Sequence, residues 1–297
     1  MSSEETNNTP ANPSSNSNNV SVSILPDIIS PITPILKEIY TDLASPAVKK
    51  VGMALETVMD FGYTMIFAPL QNVSEKRKLN LQKNMDQYKK KIETIDEHEI
   101  AQVPPELGVP ILQKLTYIQN DDLVDLFTTL LASASSVKTC SLAHPGFINI
   151  INNLTPDEAK ILKYLSDNEI ENLPFIIIQL QMQVHEKQGN EEFTSRLTGF
   201  DRMEELNLLF PQNDHLYFDN FMGLGLLDIP GTAYLSDEQK YKNLENTYQD
   251  MVEDIERIKD ERVPSARINI KKGYYKRTFY ADSFFKACIT RLQDKNQ

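Results

Sequence analysis

The chain has 297 residues, 40% hydrophobic and 24% charged, with a formal net charge of −12 at pH 7. This composition is that of a soluble globular protein long enough for about two domains. The acidic balance opposes non-specific nucleic-acid binding by the molecule as a whole, because a phosphate backbone would be repelled. Cys140 and Cys288 stand far apart and outside any CxxC arrangement, which fits a reducing cytoplasm better than a disulfide-stapled secreted domain.

Residues 1–24 are a Ser/Asn/Thr/Pro tract with neither a basic start nor an apolar core. This is not a secretory pattern, and the tract cannot bury enough surface to offset ordering entropy, so a disordered tail is expected. A helical N-terminal region (25–143) follows. Within it, Ser45 and Pro46 read as N-cap and first helical residue of a helix that runs into nearly continuous apolar sequence up to Leu70. Glu56 and Asp60 interrupt that run one turn apart. Two central acids argue against a membrane span, since each costs about 2.5–3.5 kcal/mol on the insertion scale. A core helix and a conditional membrane or self-association element are the two readings, the second resting on Met53, Met59, Phe61, Ile66 and Phe67.

Residues 75–95 repeat Leu81, Met85, Tyr88, Ile92 and Ile95 at spacings of 4, 3, 4 and 3, a heptad seam beside a basic face. A Pro-Pro pair at 104–105 restarts the chain, and Asn120 caps a helix with Leu123, Leu126, Phe127, Leu130 and Leu131 on one face. A short helix is then predicted from Pro145 to about Asn152. Thr155-Pro156-Asp157-Glu158 is a capping-box start for the next helix. The two acids also suit the positive end of its dipole.

The C-terminal region (144–297) changes texture after residue 170. Gln179, Gln181 and Gln183 alternate with Leu180, Met182 and Val184, the period of a strand. Residues 191–210 read as helical, and 213–230 as a short helix followed by a brief strand. A long acidic helix over 236–261 carries a second seam, Tyr241, Leu244, Tyr248, Met251, Ile255 and Ile258, at spacings of 3, 4, 3, 4 and 3. Residues 265–289 read as two short strands around Lys272-Gly273, closing on an amphipathic helix. The fold class is therefore mainly α (α+β): an N-terminal helical bundle with heptad-patterned helices and a winged-helix-like C-terminal region holding the acidic helix as an insertion. The two seams match in length and carry opposite charge, so they are expected to pack on each other, within one chain or across a dimer.

No catalytic constellation is visible. His98, His144, His185 and His215 lack metal-ligand spacing, and His144 before Pro145 reads as a turn or cap residue. There is no GxSxG, Walker A or GxGxxG pattern, and no cofactor is implied. Arg267, Lys271, Lys272, Tyr274, Lys276 and Arg277 interleave bases with aromatics, which on a hairpin would neutralise phosphates and stack on bases.

Five segments resemble, in order, the abortive infection alpha family of bacterial proteins: "SPAVKKVGMALETV", "VPPELGVPILQKLTYIQNDDLVDLFTTLLASA", "HPGFINIINNLTPDEAKILKYL", "FMGLGLL" and "KRTFYADSFFKACI". The resemblance spans roughly 35–292. One departure is Thr278-Phe279-Tyr280-Ala281, where the family commonly carries Thr-x-x-Gly. The resemblance implies bacterial defence against phage and brings no catalytic residues with it. The leading expectation is a non-enzymatic cytoplasmic defence protein working through self-association, another protein or conditional membrane contact. The alternative is a nucleic-acid-binding regulator using 265–291.

Overall fold

The computed structural model describes residues 45–62, 75–184 and 187–290. The polar tail, the Pro-rich run through residue 44, His185, and Ile66 and Phe67 lie outside that set.

Helix α1 (Pro46–Gly62) begins at the expected Ser45-Pro46 pair, with the Ser45 carbonyl accepting from Lys49 N at 3.1 Å. Its buried stripe is Val48, Val51, Ala54, Leu55, Val58 and Met59. Helix α2 (Glu75–Glu93) buries its seam of Leu81, Met85, Tyr88 and Ile92. Helix α3 (Pro105–Leu115) has Pro105 at its first position, and α4 (Asp121–Ala134) is capped by the Asn120 side chain accepting from Leu123 N at 3.1 Å. From Leu126 to Ala134 every residue of α4 is buried. It is therefore the central post, touched by α2, α3, α5 (Gly146–Asn152), α6 (Pro156–Asp167) and the last helix.

A four-stranded sheet completes the fold, in the order β2-β1-β4-β3 and antiparallel at each pairing. Strand β1 (Asn172–Val184) pairs with β2 (Lys187–Glu192) on one side. After helix α7 (Asp214–Gly223) comes the short β3 (Leu227–Asp228). The acidic pair α8 (Glu238–Thr247) and α9 (Gln249–Arg262) precedes β4 (Arg267–Arg277), which feeds α10 (Phe279–Cys288).

The pleat sends alternate β1 residues into two cores. Leu173, Phe175 and Ile177 join the large core shared by the helices on both sides of residue 144. Ile176, Ile178 and Leu180 join a small core with Tyr241, Leu244, Tyr248 and Ile255 of the acidic pair.

Several sequence expectations change here. The seams of α2 and of the acidic pair do not meet: the first is buried in the large core against α1 and α4, the second on the sheet. A heptad stripe needs an apolar surface, and each finds a different one. Charge follows suit, since Lys83 pairs with Asp121 at 2.8 Å and Lys91 with Asp125 at 2.6 Å, both acids on α4. The acidic segment is two helices broken at Tyr248 (φ −111°, ψ 23°). Residues 191–210 are the end of β2 and irregular chain with 3₁₀ turns at Phe200–Arg202 and Glu204–Leu206. Gly199 at φ 90° and Asn207 at φ 45° interrupt any helix there.

The expected turn at Lys272-Gly273 is absent, and β4 is one continuous strand. Gly273 lies opposite Phe175, whose ring atoms would stand 2.4, 2.6 and 3.2 Å from a Cβ. The glycine is needed for this close approach and not for a turn. The two-strand arrangement expected of a wing over 265–277 is therefore not formed; β4 pairs instead with β1 and, over two residues, with β3.

Candidate interaction surfaces

The basic residues expected to act together are divided by the strand that carries them. Arg267 and Lys271 are exposed on one face of β4, whereas Lys272, Tyr274 and Lys276 alternate to the other. Lys272 Nζ lies 2.7 Å from Glu238 and 3.6 Å from Glu245, and 5.4 Å from the centre of the Tyr241 ring. Arg277 forms an ion pair with Asp282 and stacks over Phe285 at 5.2 Å. Two of the four positive charges on the far half of the strand are thus spent within the fold. Arg267, Lys271 and Lys276 remain exposed, on two faces.

The apolar residues near the N-terminus also divide. Met53 and Phe61 are exposed at 37% and 67%, but Met59 is 2% exposed and sits in the large core. Met59 is therefore a packing residue of the α1 stripe. Among the described residues no helix is long and apolar enough to cross a membrane.

His144 is a turn residue: its Nδ1 accepts from Gly146 N at 3.0 Å just ahead of α5, whose N-cap position is Pro145. The Thr278 turn is settled likewise. Thr278 Oγ1 accepts from Ala281 N at 3.0 Å and donates to the Gly225 carbonyl at 2.7 Å, capping α10. Ala281 is fully buried in that helix, so no glycine is required there.

The capping box at α6 is present in both directions, with Thr155 N donating to Glu158 at 2.6 Å and Glu158 N to Thr155 Oγ1 at 3.3 Å. Asp157 does more than its place in the first helical turn implies. It is 2% exposed, and its carboxylate accepts from Leu209 N (2.8 Å), Phe210 N (2.8 Å) and Tyr217 Oη (2.9 Å). Lys160, one turn further along α6, donates to the Asn207 carbonyl at 2.6 Å. Burial, then the Asp157 hydrogen bond and charge, raise the Tyr217 hydroxyl well above the usual phenol range, so it stays a donor. The loop fixed in this way presents Leu209 and Phe210 to solvent at 65% and 55% exposure, with Leu216 at 57% just beyond. Sequence reasoning missed this surface because the donors are 52–60 residues from the acid.

Two further features lie elsewhere. A cleft of about 1160 Å³ between α2, α4 and α6 is lined by both signs of charge, including Lys90, Lys163, Asp122, Asp167 and Glu169. Phe279, beside the Thr278 cap, is 93% exposed. Among the described residues no group of three or more His, Cys, Asp or Glu side chains could hold a metal ion.

These features define a mainly α protein with a sheet between two cores and apolar side chains displayed on a rigid frame. The chain belongs to the abortive infection alpha family, whose model matches residues 76–288, from α2 to the end of α10. The general role this family supports is abortive infection, a defence of bacteria against phage. No curated protein matches. A solved structure of an uncharacterized protein from the hydrocarbon-degrading marine bacterium Alcanivorax borkumensis is similar at 17% identity, over 52% of this chain and 99% of that one, with a TM-score of 0.29.

Proposed function

We propose that this chain serves phage defence without chemistry of its own, by binding a protein through the Leu209–Phe210 loop; a second copy of the chain is one such protein. The observation that carries this reading is the spending of a buried carboxylate on two exposed apolar residues. A loop that only connected helices would need no such anchor, whereas an apolar pair held rigid binds with little ordering cost. The test is efficiency of plating in bacteria expressing the full chain. Leu209→Asp with Phe210→Ser should fold with an unchanged melting temperature and lose protection by a hundredfold or more. Full protection by this folded variant would overturn the reading. Leakage of liposomes by the wild-type protein, unaffected by the same pair of substitutions, would move the activity to a membrane.

The nucleic-acid reading keeps one favourable observation, the exposure of Arg267 and Lys271 on a single strand face. Two or three phosphate contacts predict a log–log salt slope of about −2 to −3. Binding to duplex DNA should follow that slope and fail with Arg267→Glu/Lys271→Glu. Salt-independent binding, or full binding by that variant, would remove this reading.

A further inference from the structure

The apolar attachment of the acidic pair α8–α9 is the small core. That core joins Tyr241, Leu244, Tyr248 and Ile255 to Ile176, Ile178, Leu180, Leu197 and Ala266, and shares no buried residue with the large one. Helix α9 buries only Ile255 and leaves Ile258 40% exposed. An element held by so few buried side chains opens at lower free energy than the core beneath it.

Its firmest attachment is polar and lies at the break between the two helices. The Tyr248 hydroxyl donates to Asp201 and accepts from Gly199 N at 3.0 Å. Arg202 stacks over the Tyr248 ring at 5.1 Å, reaches Asp250 of α9 at 3.2 Å and lies 3.5 Å from Asp201. Beneath this junction sits Asp214, 5% exposed, accepting from His215 N at 2.6 Å and from Thr198 Oγ1 at 3.4 Å. The charged and titratable groups around it are Asp201 and Arg202 from the 3₁₀ turn, Tyr248 and Asp250 from the helical pair, and His215, whose Nδ1 is 3.9 Å away. Tyr275 of β4 faces it too, together with Arg196 and Asp219.

We propose that α8–α9 is a lid over the apolar face of β1 and β4, latched through Tyr248 and Asp201, and that ionisation of Asp214 loosens the latch. A second negative charge under the junction repels Asp201, the acceptor that holds Tyr248. Burial first, and the Asp201 charge second, push the Asp214 carboxyl up to about 6. Opening the lid admits water and returns the group towards its ordinary value, so the closed form binds more protons than the open one. Closure is therefore favoured as pH falls through about 6 and is weakest above it. What opening uncovers is the strip Ile176, Ile178, Leu180, Ile268 and Ile270.

Hydrogen exchange followed by mass spectrometry on the full chain tests this, with rates corrected for intrinsic pH dependence and α4 peptides as internal reference. Protection over 238–262 and 266–271 should fall by up to about tenfold between pH 5 and 7.5 while α4 stays constant. Asp214→Asn should abolish the step and leave the lid protected at both pH values, whereas His215→Gln should retain it. The proposal is overturned if Asp214→Asn keeps the wild-type step, or if the lid opens no more easily than α4 at any pH. Should Asp214→Asn lower α4 protection as well, Tyr248→Phe decides. Loss of lid protection alone at both pH values supports the latch, and wild-type protection refutes it.

Discussion

Replacing Asp157 by alanine should lower the stability of the protein by about 3–5 kcal/mol, or roughly 10 °C in melting temperature. The amides of Leu209 and Phe210, both satisfied by one buried carboxylate, would lose their acceptor, and the Tyr217 hydroxyl would keep only the Phe210 carbonyl at 3.0 Å. Desolvated donors with no partner cost more than the net worth of the bonds they made. Asp157→Asn keeps an acceptor oxygen but exchanges the charge for an amide whose own hydrogens find no carboxylate role here, and should fall between. Glu158→Gln is the useful contrast: its one acceptor oxygen keeps the bond from Thr155 N, while its amide NH2 replaces the oxygen that accepts from Asn220 at 2.7 Å, so a loss of about 1–2 kcal/mol is expected. Thermal unfolding followed by circular dichroism ranks the three. Equal losses for Asp157→Ala and Glu158→Gln would mean that Asp157 is only a helix-start residue.

The second large effect is expected at Gly273. A Cβ there would stand 2.4 Å from Phe175 Cζ, and the ring has no room to retreat. Phe175 is 4% exposed, packs 5.0 Å from the Tyr275 ring and lies under the Arg196 guanidinium at 6.0 Å. On the other side, the Gly273 carbonyl accepts from Tyr241 at 3.0 Å, which ties the strand to α8. Gly273→Val should cost about 3 kcal/mol despite the better strand propensity of valine. Adding Phe175→Leu should recover part of that loss, because the clash is with the ring itself. A double variant no more stable than Gly273→Val alone would show that the Phe175 ring is not what the added side chain meets.

Both sites explain what the sequence could and could not tell. Helix starts were legible because their signals are local: Asn120 and Thr155 each cap a helix within three residues of themselves. Strand β1 was legible from alternation alone. Lys272-Gly273 was misread because a glycine between two β-forming runs looks the same whether the chain turns or a ring from a distant strand approaches it. Phe175, the deciding residue, is 98 positions away. The seams posed the same problem. Their period shows that a helix has one apolar stripe but not which surface receives it, and charge complementarity was met by Asp121 and Asp125 for the basic helix and by Lys272 for the acidic one. At Asp157 the helix-start reading explained the residue so well that nothing local pointed to a second role. Asp214 and Asp201 were likewise two acids in an acidic stretch until the fold placed them under Tyr248.

Leu209 and Phe210 are exposed side chains on a backbone held by Asp157. Hydrogen exchange at their two amides, resolved by NMR in the full-length protein, measures this directly. Protected amides at 209 and 210 in the wild type are predicted, falling to loop-like rates in Asp157→Ala while α4 remains slow. Rapid exchange at both positions in the wild type would contradict the account.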